Sequence, residues 1–391
     1  MRAENELASL AWIQHLIRLD TTSRRSNLAL IDTVEAEAGR LGLPAVRISS
    51  LTEPKANLWV TVPAADGRTA GGIVLSGHTD TVPVDGQDWH SDPFSPTVRD
   101  ERLYGRGSCD MKGFIGVVLE RLGRFVTAEL SEPLHLALSY DEELGCQGAG
   151  AMIDEMAHFE IRPRACIVGE PTGMRAITGH KSISIVELTF RGVAAHSSLT
   201  SHGVNAIEYA AQAIDHIRAM ASAWQQHGPF DPAYALPFST ASVNLVSGGI
   251  AANTVPDLCT LTFEIRTVAA QPPRILLDEI EQLVGQLGAR MHDRHASAGA
   301  SMHVVASVPG LDVAPESPAA SLCHAIGGIP AADKVTYSTE AGMFDVAGIP
   351  SIVCGPGEIA QAHRADEWVS LEQLAACEAM IDRLLVQMTE G

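Results

Sequence analysis

Three nearly uninterrupted apolar runs in this chain lead straight into acids or a histidine. Residues 72–76 end at Gly77-His78, residues 134–139 at Asp141-Glu142-Glu143, and residues 165–168 at Gly169-Glu170. Runs of this kind are strands buried on both faces, which belong to parallel sheets covered by helices. Between them lie segments of helical period. Residues 7–19 set Leu10, Ile13, Leu16 and Ile17 on one side, residues 33–41 stop at Gly42, and residues 113–125 carry Phe114, Val117, Val118, Leu119 and Leu122. Strands alternating with helices predict an α/β fold with a mixed, mostly parallel sheet. In such sheets ligands gather beyond the carboxyl ends of the strands, where these acids fall.

The pattern changes near Gly179. Residues 182–190 alternate; a helix over 204–220 puts Ile207, Ala210, Ala211, Ile214 and Ile217 on one face. Strands over 241–246 and 258–267, a helix over 273–287 and a strand over 303–308 follow. This β-α-β-β-α-β order is ferredoxin-like, and its half-buried strands suit a small sheet covered on one face. Residues 179–308 are therefore expected to form a lid domain inserted between 1–178 and 309–391 of the first domain. A strand at 351–354 and a helix over 371–388 close the chain.

Composition narrows the partners. The formal charge is −20, which repels nucleic acid and anionic membrane and favours a cationic small molecule. No apolar run approaches the roughly 20 residues that span a bilayer. Residues 1–6 carry acids where a secretion leader needs basic and then apolar residues, so the cytoplasm is expected. Seven cysteines without a CxxC pair are expected to be free thiols in a reducing compartment.

Five segments carry metal-competent side chains: Ser76-Gly77-His78-Thr79-Asp80, the glycine-bracketed loop 105–113 with Asp110, Asp141-Glu142-Glu143, Gly169-Glu170-Pro171-Thr172, and Gln361-Ala362-His363-Arg364. Two neutral imidazoles and three carboxylates exceed one tetrahedral ion and suit two cations sharing a carboxylate. Asp80 shares a strand face with His78 and can orient its ring. Asp110, short and on a tight turn, can bridge two ions; the competing reading is an N-cap for the following helix. Of the adjacent Glu142 and Glu143, one can bind metal while the other acts as general base. Pro171 forces Glu170 out of helical geometry.

The chain resembles the M20 family of di-zinc peptidases and deacylases over nearly its full length. The likeness rests on Gly105-Arg106-Gly107-Ser108-Cys109-Asp110-Met111-Lys112-Gly113-Phe114, Tyr140-Asp141-Glu142-Glu143, Gly179-His180-Lys181, Tyr337-Ser338-Thr339-Glu340-Ala341 and residues 354–367. The resemblance implies that His78, Asp110 and Glu170 hold one zinc, and Asp110, Glu143 and His363 the other. Glu142 would be the acid/base and Asp80 the support of His78. His196 would reach the partner's site in a homodimer joined through the lid domain, Asn253 would lie near the substrate, and Arg266 would meet the substrate carboxylate. Ser182 departs from the glycine that often follows His-Lys in such enzymes.

The implied reaction is hydrolysis of the N-acyl amide of an acylamino acid, with Nα-acetylornithine as the expected substrate and Glu340 as partner of its δ-ammonium. Zinc is expected; cobalt and manganese accept the same donors. Two other readings share the fold: another acylamino-acid hydrolase or dipeptidase, and a metal-binding protein without turnover, against which Glu142 argues. Arg266 has a competing reading of its own, a surface ion pair with Glu264 on the same strand face.

Overall fold

A computed structural model describes residues 7–390; residues 1–6, on which the leader argument rests, lie outside that range. The chain divides into two compact units. One comprises residues up to 179, Leu311–Lys334 and residues from 339 onward; the other comprises His180–Gly310 and Val335–Ser338.

The first unit is built on a six-stranded sheet in the order Ala45–Ser49, Ala56–Val62, Leu134–Ser139, Ile73–His78, Ala165–Val168, Ser351–Val353. The first two pairings are antiparallel and the other three parallel. Every residue of the middle strands is buried, which is why these segments are apolar throughout rather than alternating. Because the last four strands run parallel, His78, Ser139, Val168 and Val353 all end at one edge. Helices Leu10–Arg18, Leu28–Arg40, Lys112–Thr127 and Leu371–Thr389 cover the sheet through Ile13, Leu30, Phe114, Leu122, Leu374 and Ile381, all at most 1% exposed.

The second helix starts five residues before the expected position. Asn27 holds the entry, donating to the Ala56 carbonyl and Thr79 Oγ1, both at 2.8 Å, and accepting from the Ala56 N–H at 3.0 Å. The sequence also hid the edge strand Ala45–Ser49, the helices Ala149–His158, Pro318–Ala325 and Ala341–Val346, and a three-stranded sheet of Thr97–Arg99, Arg102–Tyr104 and Trp368–Ser370. Apart from the ten-residue Ala149–His158, each is short or, like Thr97–Arg99, exposed, so it carries little periodic signal.

The second unit runs strand Ile183–Arg191, helix Ala206–His227, strands Thr240–Gly248 and Leu258–Arg266, helix Pro273–Arg294 and strand Gly299–Val308. Its antiparallel sheet has the order Thr240–Gly248, Leu258–Arg266, Ile183–Arg191, Gly299–Val308. Val186, Leu188, Phe190, Leu261, Phe263 and Ile265 form one buried face against Ala213, Ile217, Ile280 and Leu287 of the helices. Asn205 caps the first helix, accepting from the N–H groups of Ile207 and Glu208. That helix extends beyond the expected stop because Trp224 continues the buried stripe.

One glycine of the first unit ties the core to the chemistry. A Cβ on Gly169 would lie 2.1 Å from Cγ of the buried Phe114 ring, so only glycine lets the strand end pass there before Glu170. Gly169→Ala is therefore expected to destabilise the protein by about 1–3 kcal/mol, the usual cost of overpacking. Urea unfolding measures this; an unchanged midpoint would show that the ring moves aside freely.

Candidate metal centre

The edge where the parallel strands end collects the expected side chains. His78 closes its strand with Nε2 2.8 Å from Asp110 Oδ1 and 3.7 Å from Glu170 Oε1. His363 points Nε2 at the other oxygen, 3.2 Å from Asp110 Oδ2, and lies 3.0 Å from Glu143 Oε2. Two clusters result, His78–Asp110–Glu170 and Asp110–Glu143–His363, each with its ligand atoms within 4.8 Å of one another. Asp110 belongs to both, one oxygen facing each imidazole. It is not an N-cap: Met111 occupies that position before Lys112–Thr127, without a side-chain cap.

Electrostatics show what this donor set requires. Burial pushes the carboxyls of Glu142, Glu143 and Glu170 above their usual range, and neighbouring carboxylates add to it. Burial works the same way on Asp110, but hydrogen bonds from His363 and His78 overcome it and hold its carboxyl low. Hydrogen bonds to Asp110 and Glu143 push His363 up to about 11. The ion pairs of Asp110, Glu143 and Glu170 run to His78 and His363, whereas the buried Lys55 and Arg106 are engaged by Asp141 and Glu367. A packed set of acids whose ion pairs among the described residues run to imidazoles rather than to lysine or arginine fits two divalent cations sharing Asp110.

The acid pair after the Leu134–Ser139 strand points two ways. Glu143 faces His363, while Glu142 belongs to neither cluster and its Oε1 lies 3.4 Å from Cys146 Sγ. Asp80 does something the sequence did not disclose. His78 Nδ1 sits 3.0 Å from the Asp80 main-chain carbonyl and 3.6 Å from its carboxylate. That carboxylate instead accepts from the N–H of Glu142 at 3.1 Å, the N–H of Glu143 at 3.4 Å and Ser23 Oγ at 2.8 Å. Lys55 secures the same turn, donating to Asp141 at 2.7 and 2.9 Å and to the Ser23 carbonyl at 2.7 Å. Asp141 itself holds φ +54°, a left-handed conformation that persists in a non-glycine residue only where its surroundings fix it. A lone lysine before a strand gave no local signal for this part.

Glu340 precedes the Ala341–Val346 helix without a side-chain capping bond and is 1% exposed. Its Oε2 lies 3.5 Å from Ser76 Oγ, and Oε1 is buried without a hydrogen-bond partner. Burial pushes its pKa up to about 7.

The remaining expected residues belong to the second unit. His196 is exposed, with Nδ1 accepting from the Ser198 N–H at 3.2 Å. Asn253 lies beside it, its carbonyl accepting from the Ser197 N–H at 2.9 Å, and His196 bridges Thr254. Arg266 pairs with Glu264 Oε1 at 3.0 Å, as the surface-pair reading has it, and also donates to the Thr336 carbonyl at 3.3 Å.

Fold and clustered donors together fit a metal-dependent hydrolase. The pattern of Peptidase family M20/M25/M40 matches residues 74–387, and the chain belongs to that family of metal-dependent hydrolases. An acetylornithine deacetylase from Myxococcus xanthus is 31% identical over 97% of each chain. One from Edwardsiella ictaluri is 31% identical over 92% of this chain and 91% of its own. Among solved structures, an M20 family metallo-carboxypeptidase from Sulfolobus solfataricus superposes with a TM-score of 0.75 at 16% identity, covering 99% of this chain and all of its own. A dinuclear metal-binding M20 peptidase from Bacillus subtilis gives 0.66 at 13% identity, with 98% of each chain covered. Among the described residues no helix is long and apolar enough to cross a membrane, and all seven cysteines are free and buried.

The Glu340 geometry carries a pH prediction for the metal-free protein. Its folded pKa of about 7 lies above the ordinary 4.5, so its contribution to stability is intact below about 4.5 and is lost as pH rises through 7. Glu340→Gln removes that loss. Its melting temperature should match wild type at pH 5 and exceed it at pH 8; a gap that does not widen with pH would refute the assignment.

Proposed function

We propose that this chain hydrolyses the amide of an acylamino acid, with Nα-acetylornithine as substrate and ornithine and acetate as products. The observation that carries the reading is Asp110 shared between two clusters beside an acid, Glu142, that binds in neither. The named relatives at 31% identity over most of the chain support the substrate. We assign His78, Asp110 and Glu170 to one zinc ion and Asp110, Glu143 and His363 to the other. Cobalt and manganese suit the same donors.

Bound in these clusters, the cations supply positive charge at the scissile carbonyl and bring the pKa of water toward neutrality. Glu142 takes the proton of the attacking water on its carboxylate as oxygen adds to the acetyl carbon. It then delivers that proton to the leaving amine nitrogen, so that the amide C–N bond breaks to a neutral amine. The raised affinity of Glu142 for a proton, which burial produces, suits both transfers. Asp80 holds the turn that aims Glu142. His196 of the partner subunit polarises the carbonyl and stabilises the tetrahedral oxyanion in a homodimer joined through the second unit. Arg266 receives the α-carboxylate, Asn253 lies against the substrate, and Glu340 receives the δ-ammonium. The −20 charge favours approach of cationic solutes, and we place the enzyme in the cytoplasm.

Glu142→Gln should retain both metal equivalents and lose turnover by about 10²-fold or more, the usual worth of a positioned acid/base. Elemental analysis beside the rate checks both halves; loss of metal together with activity would mean that Glu142 is a ligand. Substrate class is tested by zinc-loaded wild type on acetylornithine, acetylcitrulline, acetylmethionine and a dipeptide. Acetylornithine should give the highest kcat/KM, and Glu340→Gln should reduce it far more than it reduces acetylmethionine. A preferred dipeptide, or equal losses on both acylamino acids, would overturn the substrate and the Glu340 role respectively.

A further inference from the structure

Two loops deliver Asp110 and His363, and one hydrogen-bond network, buried at its Glu367 end, joins them. It begins in a ladder: Trp368, Val369 and Ser370 pair antiparallel with Tyr104, Leu103 and Arg102. The Gly105 N–H extends it by donating to the Glu367 carbonyl at 3.0 Å. There the Glu367 side chain, 1% exposed, turns inward. Its Oε2 accepts from Arg106 Nη1 at 2.6 Å and the Gly107 N–H at 3.0 Å. Its Oε1 accepts from the N–H groups of Cys109 at 2.9 Å and Asp110 at 3.0 Å. Four donors fill the four lone-pair directions of an ionised carboxylate, a set no amide can reproduce.

The network continues toward His363. Arg106 Nη2 donates to Gln87 Oε1 at 2.6 Å, which also receives Trp89 Nε1 at 3.0 Å. Gln87 Nε2 donates to the His363 carbonyl at 3.0 Å. His363 holds φ +61°, a conformation that costs a non-glycine residue free energy and needs such support. The circuit therefore reaches the backbones of both residues and leaves their ligand atoms untouched.

We propose that Glu367 and Gln87 are positioning residues of the metal centre. Glu367, with Arg106, fixes the loop of the shared carboxylate, and Gln87 fixes His363, which serves one cation only. The inference rests on the paired-cation reading. Glu367→Gln should weaken uptake of both ions, because Asp110 belongs to both clusters. Gln87→Ala should weaken only the ion held by Asp110, Glu143 and His363. Removing an outer partner of a ligating side chain typically costs about 10- to 100-fold in metal affinity, and loss of these backbone supports is expected to act on the same scale.

The test titrates metal-free, full-length protein with Zn2+ against a chromophoric chelator, and melts each metal-free variant. Wild type binding fewer than two ions would fell the paired-cation reading and this inference with it. With two ions bound by wild type, the expected result is one binding step weakened about 10-fold or more in Gln87→Ala, the other at its wild-type value. Gln87 is half-buried, so this variant decides by itself should Glu367→Gln fail to fold. In Gln87→Ala a merely structural role would lower the melting temperature and leave both steps alone or weaken them equally; either result, or both steps at their wild-type values in a folded Glu367→Gln, overturns the proposal.

Discussion

The division of Asp110 between two imidazoles is the constraint around which the first unit is organised. One oxygen lies 2.8 Å from His78 and the other 3.2 Å from His363, so a rotation of this one side chain would break both clusters. A buried carboxylate tolerates such a position only when its charge is matched and its backbone cannot drift. The charge is met by imidazoles and fits bound cations. The backbone is met by Glu367, whose two oxygens gather the N–H groups of the very loop that carries Asp110.

Two buried cations of this unit share a logic. Lys55 neutralises Asp141, and Arg106 neutralises Glu367. Each of the two is spent on an outer acid that shapes a loop, whereas the buried Lys112 donates to the Leu19 carbonyl. Asp80 repeats the device with backbone donors, holding the turn of Glu142 and Glu143. The parallel strands bring the loop origins to one edge; these outer acids then set the angle at which each ligand leaves its strand. Sheet geometry alone delivers side chains to a neighbourhood, and metal clusters need them within a few tenths of an ångström.

Much of this was legible in the sequence because it is locally encoded. An apolar run that ends at Gly77-His78 or Gly169-Glu170 announces a buried strand and a polar terminus in adjacent residues. The second unit was equally open, since residues 259–266 alternate strictly between buried and half-buried positions. The positioning acids were not legible, because their partners are distant in the chain: Glu367 lies more than 250 residues from the loop it holds. Asp80 was read as a partner of the imidazole two residues away, yet most of its hydrogen bonds go to residues about 60 positions distant. His196, Asn253 and Arg266 entered through family resemblance, since nothing in an exposed histidine or a half-buried arginine marks it locally as catalytic.

Metal chemistry of this kind hydrolyses amides without regard to the amino acid attached, so selectivity must come from groups outside the two clusters. Under the proposed role, Glu340 supplies part of that selectivity. Burial moves its pKa from 4.5 to about 7, which corresponds to on the order of 3 kcal/mol held against its ionised form. A substrate ammonium that paired with it would offset that cost, whereas a neutral side chain would leave it standing. Under the proposed role, this residue favours a cationic acylamino acid over a neutral one, and an offset of that size corresponds to about a hundredfold. The cost is borne by the folded protein before substrate arrives, as expected where a polar group is kept unpaired for a ligand.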